Sequence, residues 1–155
     1  MGDHLKVALS NYDKQNIEMF SKDPSILNID FYNVSLERKA RNSKFLSPHL
    51  LIEVCKTLFT FMKENPNSVL TYICDPESEV ERHHKNLSPQ EYRSKLFSKL
   101  FDYFTFSNRI EDFIEDIIHI KDNSKGTDDI FAHFIYPIRL KTQIETVSNI
   151  ILSDK

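Results

Sequence analysis

The densest collection of residues able to hold a metal or move a proton lies between Asp75 and Asn86, where Asp75, Glu77, Glu79, Glu81, Arg82, His83 and His84 stand close together. Carboxylates and imidazoles are common metal ligands and proton carriers. Their placement matters as much as their types. They follow Val69-Leu70-Thr71-Tyr72-Ile73-Cys74, a β-prone run bounded by Pro66 and Pro76, and the rim where a sheet strand gives way to a helix is a favoured ligand site. The segment carries only Val80 and, at its end, Leu87 as aliphatics, so it is too polar to bury itself. Asp75, Arg82, His83 and His84 are therefore the expected binding surface. The spacing matches no zinc motif. In the alternative reading Cys74 packs in the core, Asp75 caps the turn before Pro76, and the loop is a solvated charge run. Accordingly no catalytic residue, metal or cofactor is assigned to it.

Two further groupings carry potential chemistry. His119 and His133 would face each other across a hairpin if residue 121 paired with residue 131, close enough to share a metal or couple their titrations. Arg38, Lys39, Arg41 and Lys44 form a basic cluster able to grip phosphates, but no aromatic residue interleaves with it. Serines, histidines and aspartates are plentiful, yet no motif sets a nucleophile beside a base.

The elements that must position these groups can be read from local chemistry. Residues 5 to 10, 15 to 21 and the alternating Leu27, Ile29 and Phe31 suggest two or three strands of a meander, with Glu37 to Lys44 a polar connector. Ser47-Pro48 opens a helix with Leu46 placed to staple onto Leu51, and Leu51, Val54, Leu58, Phe61 and Met62 repeat at helical spacing up to Asn65-Pro66. The Val69–Cys74 run is continuous enough for a central strand buried on both faces. Ser88-Pro89-Gln90-Glu91 is a capping box, and Tyr92, Leu96, Phe97, Leu100, Phe101 and Phe104 supply the apolar face of a second helix. Residues 110 to 120 fit helix or strand. The turn chemistry of Asp122 to Gly126, followed by the strand-like Ile130 to Tyr136, favours a hairpin. A final helix runs from about Pro137 to Leu152 with Leu140, Ile144, Val147 and Ile151 as its stripe. The expected fold is α+β, one domain over residues 1–155. It has an N-terminal β-meander, helix, central strand, helix, C-terminal β-hairpin and terminal helix around one mixed sheet.

Composition excludes whole classes. Only two glycines occur, Gly2 and Gly126, so phosphate-cradling loops, dinucleotide fingerprints and nucleophile elbows cannot be built. The net charge of −3 gives no field drawing the whole domain onto nucleic acid or anionic lipid. Cys55 and Cys74 are too few for a disulfide framework and sit in apolar stretches, which fits a reducing cytoplasm. No signal-peptide pattern and no run of about 18 apolar residues occurs, so a membrane is not expected as a partner.

Between Lys63 and Phe104, Asn65-Pro66-Asn67-Ser68 leads into Leu70-Thr71-Tyr72-Ile73-Cys74-Asp75, and Arg93-Ser94-Lys95-Leu96-Phe97 follows. On these residues the stretch resembles a family of small bacterial domains of unknown function. The resemblance implies the order helix, turn, strand ending in Tyr-Ile-Cys-Asp, helix. It brings no activity, and where the family runs through a glycine-containing turn this chain has Pro76 to Tyr92. The expected function is a small intracellular binding or regulatory module acting through a protein partner or as a homodimer. The alternative is a small metal-dependent hydrolase or nuclease using the acidic and histidine-rich loop 75–86.

Overall fold

Five strands are placed by the computed structural model, which describes residues 5–11, 26, 28–38, 48–74, 88–121 and 129–153: β1 (Leu5–Asn11), β2 (Asp30–Arg38), β3 (Ser68–Cys74), β4 (Phe113–Ile120) and β5 (Ile130–Pro137). They form one sheet in the order β1-β2-β3-β5-β4. Only the β2–β3 pair is parallel; the other three are antiparallel. The Val69–Cys74 run is thus the middle strand, as its continuous apolar character requires. Val69, Leu70, Thr71 and Cys74 are all buried, and their side chains serve both faces of the sheet.

Helices cover the two faces unequally. Helix α1 (Pro48–Glu64) and helix α2 (Pro89–Ser107) pack on one face. There Val34, Cys55, Phe59, Met62, Leu70 and Phe104 make a buried cluster. Helix α3 (Lys141–Ser153), entered through a 3₁₀ turn at Ile138–Leu140, lies on the other with Leu140, Ile144 and Val147 against Phe31, Val69, Phe134 and Tyr136. The sheet therefore sits between two apolar layers, and β5, flanked on both sides by strands, has four of its eight residues buried and the rest half-buried. On the second face of β1 and β2 Ala8, Ser10 and Ser35 are exposed, and no helix among the described residues packs there.

Local chemistry explains the boundaries. Asn65-Pro66-Asn67-Ser68 is the turn that ends α1 and starts β3. The Asn65 backbone N–H and side-chain Nδ2 both donate to the Phe61 carbonyl, and Ser68 N–H returns to the Asn65 carbonyl at 3.0 Å. Ser88 caps α2 as its capping box requires, accepting from Glu91 N at 3.2 Å, with Pro89 at the first helical position. Replacing Ser88 by alanine is expected to lower stability by about 1 kcal/mol. An unshifted urea midpoint would show that the cap contributes nothing. At the other end α2 closes by Ile110 N–H to the Thr105 carbonyl and Arg109 N–H to the Phe106 carbonyl. This closure needs a left-handed residue, and Arg109 supplies it at φ 53° without being a glycine.

Two readings are corrected. Ile29 and Phe31 do not share one strand, and Leu27 lies outside the described residues. A turn in which Ile29 N–H donates to the Ile26 carbonyl delivers Ile26 and Ile29 to the core, and β2 begins only at Asp30. The connector drawn from Glu37 is shortened, because pairing with β1 carries β2 through Arg38. Residues 15–21 lie outside the described residues. The 110–120 ambiguity resolves to strand, since β4 pairs with β5 along all eight of its residues.

Candidate functional site

Asp75, Arg82, His83 and His84 lie outside the described residues, as do Lys39, Arg41 and Lys44 of the basic cluster. What the described residues bring together is a different constellation, built where α2 crosses β5 and β4. Ser94 Oγ lies 2.8 Å from His133 Nε2, and His133 Nδ1 lies 3.3 Å from Glu115 Oε2. Ser98, one turn along α2 from Ser94, donates to Glu115 Oε1 at 2.5 Å. The chain of contacts starts on the helix, crosses the hairpin and returns to the helix.

Burial makes this arrangement costly unless it is satisfied. His133 is 1% exposed and Ser94 4%, and the Glu115 side chain retains 6%. One assignment satisfies the four groups together. The proton sits on His133 Nδ1 and is donated to the Glu115 carboxylate, Nε2 accepts from the Ser94 hydroxyl, and Ser98 donates to the second carboxylate oxygen. The order serine, imidazole, carboxylate is that of a nucleophilic triad. Ser94 sits inside α2, where its own N–H is spent on the helical ladder, and among the described residues no turn presents its hydroxyl or aims free N–H groups at it. The arrangement fastens helix to hairpin as a buried clasp.

Beside it lies a cavity of about 60 Å³ bordered by α1, α2 and the sheet. Its walls are aliphatic and aromatic, among them Val54, Phe59, Leu70, Phe97 and Ile135, with Glu115 and His133 also among the lining residues. Thr71, also on the wall, spends its hydroxyl on the Tyr32 carbonyl at 3.2 Å. Cys55 lines the same space, and burial pushes its thiol up from 9.0 to about 11. On the opposite face Tyr136 donates to Asp116. Burial, then this hydrogen bond, then the charges of Asp116 and Glu145 raise its phenol well above the usual range.

Both raised groups hold their protons more tightly in the folded chain than in the unfolded one. Their stabilisation is complete below about pH 9 and is lost as pH climbs through the folded values. The urea midpoint is therefore expected to fall steadily above pH 9, and Cys55→Ala should flatten the part of that fall between pH 9 and about 11. An identical pH profile in the variant would show that Cys55 plays no part in it.

The two-histidine pairing is overturned. The register sets His119 opposite Phe131 and Ile117 opposite His133, two residues away from the expected one. His119 instead meets Asp129 at 2.7 Å and stacks on Phe131, with ring centroids 4.4 Å apart. The physical reason is that a two-residue slip leaves every side chain on its own face, so the apolar alternation cannot discriminate between the two registers.

The clasp itself was not singled out, although a trace of it stands in the chain. Phe97, Phe101 and Phe104 recur at intervals of four and three, and continuing that stripe backwards reaches Ser94 or Arg93 and then Gln90, all three buried. The expected stripe stopped at Tyr92 and Leu96, because apolar type was followed rather than position. Both of those are only half-buried.

Among the described residues no group of three or more His, Cys, Asp or Glu side chains could hold a metal ion, and no helix is long and apolar enough to cross a membrane. Comparison with family models, with curated proteins and with solved structures returns no match.

Proposed function

We propose that this chain is a non-catalytic binding or regulatory module that receives a small ligand in the cavity between α1, α2 and the sheet and passes on its occupancy through a protein partner or a second copy of itself. The observation that carries this reading is an almost wholly apolar space between α1, α2 and the sheet, with Glu115 and His133 among its lining residues. Size limits the ligand. A dry apolar cavity of about 150 Å³ accepts benzene. One of about 60 Å³ takes a group smaller than a benzene ring. Support for a partner comes from the last turns of α2, where Tyr103 and Phe106 are exposed, Phe106 by 88%.

The test is methyl-detected NMR of the full chain under increasing xenon or small hydrocarbon. Saturable shifts are expected at Leu58, Leu70 and Ile135, which line the cavity, and not at Ile144 or Val147 on the far face of the sheet. Equal shifts on both faces, or none at the lining methyls, would overturn the cavity reading.

A further inference from the structure

We propose that the outer edge of β4 is an interface, along which a second copy of this chain continues the sheet across a two-fold axis at Ile117. The inference rests on the reading of the chain as a module that acts through a partner, names that partner, and is independent of the cavity. β4 ends one side of the sheet, and among the described residues no strand lies beyond it. In an antiparallel ladder every second residue of an edge strand turns its N–H and C=O outward. Ile138 N–H donates to the Asp112 carbonyl, which fixes the phase. The even-numbered residues of β4 therefore bond to β5, and Phe113, Glu115, Ile117 and His119 turn their backbone groups to the outer side. Folded chains guard such an edge with lysine, proline or a bulge. At the other margin of the sheet β1 carries Lys6, which is exposed, whereas β4 has no Lys, Arg, Pro or Gly and pairs with β5 in unbroken register. Its two carboxylates are taken up within the chain, Glu115 by Ser98 and His133 and Asp116 by the Tyr136 hydroxyl. Ile117, between them and His119, is left 43% exposed.

Charge and length select a second copy and one register. A two-fold axis normal to the sheet keeps each face continuous, so the two strands meet around a shared central residue. Centred at Ile117, that side chain meets its own counterpart, Ile114 meets Ile120, Asp116 meets Ile118 and Glu115 meets His119, so no like charges stand opposite each other. Pairing then runs over residues 114–120 with about six backbone hydrogen bonds, two at each pair made by 115, 117 and 119. A centre at Glu115 or Asp116 sets carboxylate against carboxylate, and one at Ile118 shortens the pairing to residues 116–120. β4 is thus its own complement, a property that pairing with a foreign strand does not require.

The experiment measures the mass of the intact chain by sedimentation equilibrium from micromolar to millimolar concentration. A dimer is expected, with its dissociation constant raised about tenfold or more in Ile117→Lys, which places an unpaired charge on the edge, and unchanged within about twofold in Phe106→Lys on α2. Both positions are exposed, so the variants should keep the wild-type circular dichroism. Cysteine linking gives a second readout that needs no lysine variant. Oxidation should join Ile117→Cys to its counterpart, since opposed residues there have Cα atoms about 5.5 Å apart. It should not join His119→Cys, whose counterpart stands about 14 Å away along the strands. The native Cys55 and Cys74 are buried. A wild-type monomer throughout, a dimer that survives Ile117→Lys, a dimer lost in Phe106→Lys instead, or a link at 119 and not at 117 would overturn the proposal. The cavity reading is judged separately. Saturable xenon shifts in a monomeric chain would leave it standing without this interface, and a dimer silent toward xenon would keep the interface and overturn the cavity.

Discussion

Replacing His133 by alanine is expected to destabilise the protein by about 3–5 kcal/mol, because it leaves the buried Glu115 short of a donor and opens a cavity where a fully buried ring stood. The imidazole is the middle of the clasp. Without it, Ser94 loses its partner on β5 and the Glu115 carboxylate keeps only Ser98 among its recorded donors, all within a space that water barely reaches. The serines sit at the ends: Ser94→Ala removes a neutral hydrogen bond of about 1 kcal/mol and Ser98→Ala one to a carboxylate of about 1.5–3 kcal/mol, so both should be milder than His133→Ala. Urea denaturation of the three variants tests this order. A double variant, His133→Leu with Glu115→Leu, removes both polar groups together and should recover a large part of the loss. If His133→Ala proved no worse than the serine variants, the imidazole would not be holding the carboxylate. If the double variant were worse than His133→Ala, the cost would come from packing and not from an orphaned charge.

The second large effect is expected at Phe59, at about 3–5 kcal/mol for Phe59→Ala. Its ring stacks on Phe101 and Phe104 with centroids 6.0 and 5.1 Å away and meets Phe113 edge-on at 5.3 Å. One residue of α1 thereby joins α2 and β4. Truncation removes a buried ring and three aromatic contacts of about 0.5–1.5 kcal/mol each, and it enlarges the neighbouring cavity. Phe106→Ala is the control, since that ring is almost entirely exposed and its loss should stay within about 0.5 kcal/mol. Thermal or urea melts of the pair suffice. A Phe59→Ala chain as stable as Phe106→Ala would mean that the two helices are not fastened through this ring.

Much of the fold was legible because it depends on signals short in sequence. A serine before a proline with glutamate three residues on from the serine can do little but start a helix, and Ser88 does so. Proline at 66 and 76 brackets a β-prone run that no polar residue interrupts for long, and that run occupies the centre of the sheet. The hairpin also follows from local chemistry, since the turn-favouring residue types from Asp122 to Gly126 separate two apolar stretches of strand length. Boundaries such as the start of β2 were less legible. The same alternation that marks a strand also describes a turn delivering Ile26 and Ile29 to the core.

The candidate site was hidden for a different reason. Ser94, Ser98, Glu115 and His133 are spread over 40 positions and three elements, and in isolation each is an ordinary surface residue. Nothing within a few residues of Glu115 says that it will face a cavity, because that depends on the pairing of β4 with β5 and on where α2 crosses them. By itself the sequence determined element types, their order, the central place of β3 and the absence of any glycine-built phosphate loop, all of which rest on backbone preferences and on apolar spacing within one element. The tertiary structure alone decided the register of the hairpin, the burial of Ser94 and His133, and the cavity they border. Those depend on which residues of separate elements come to share one small volume, and side-chain alternation, which repeats every two residues, carries no record of that choice.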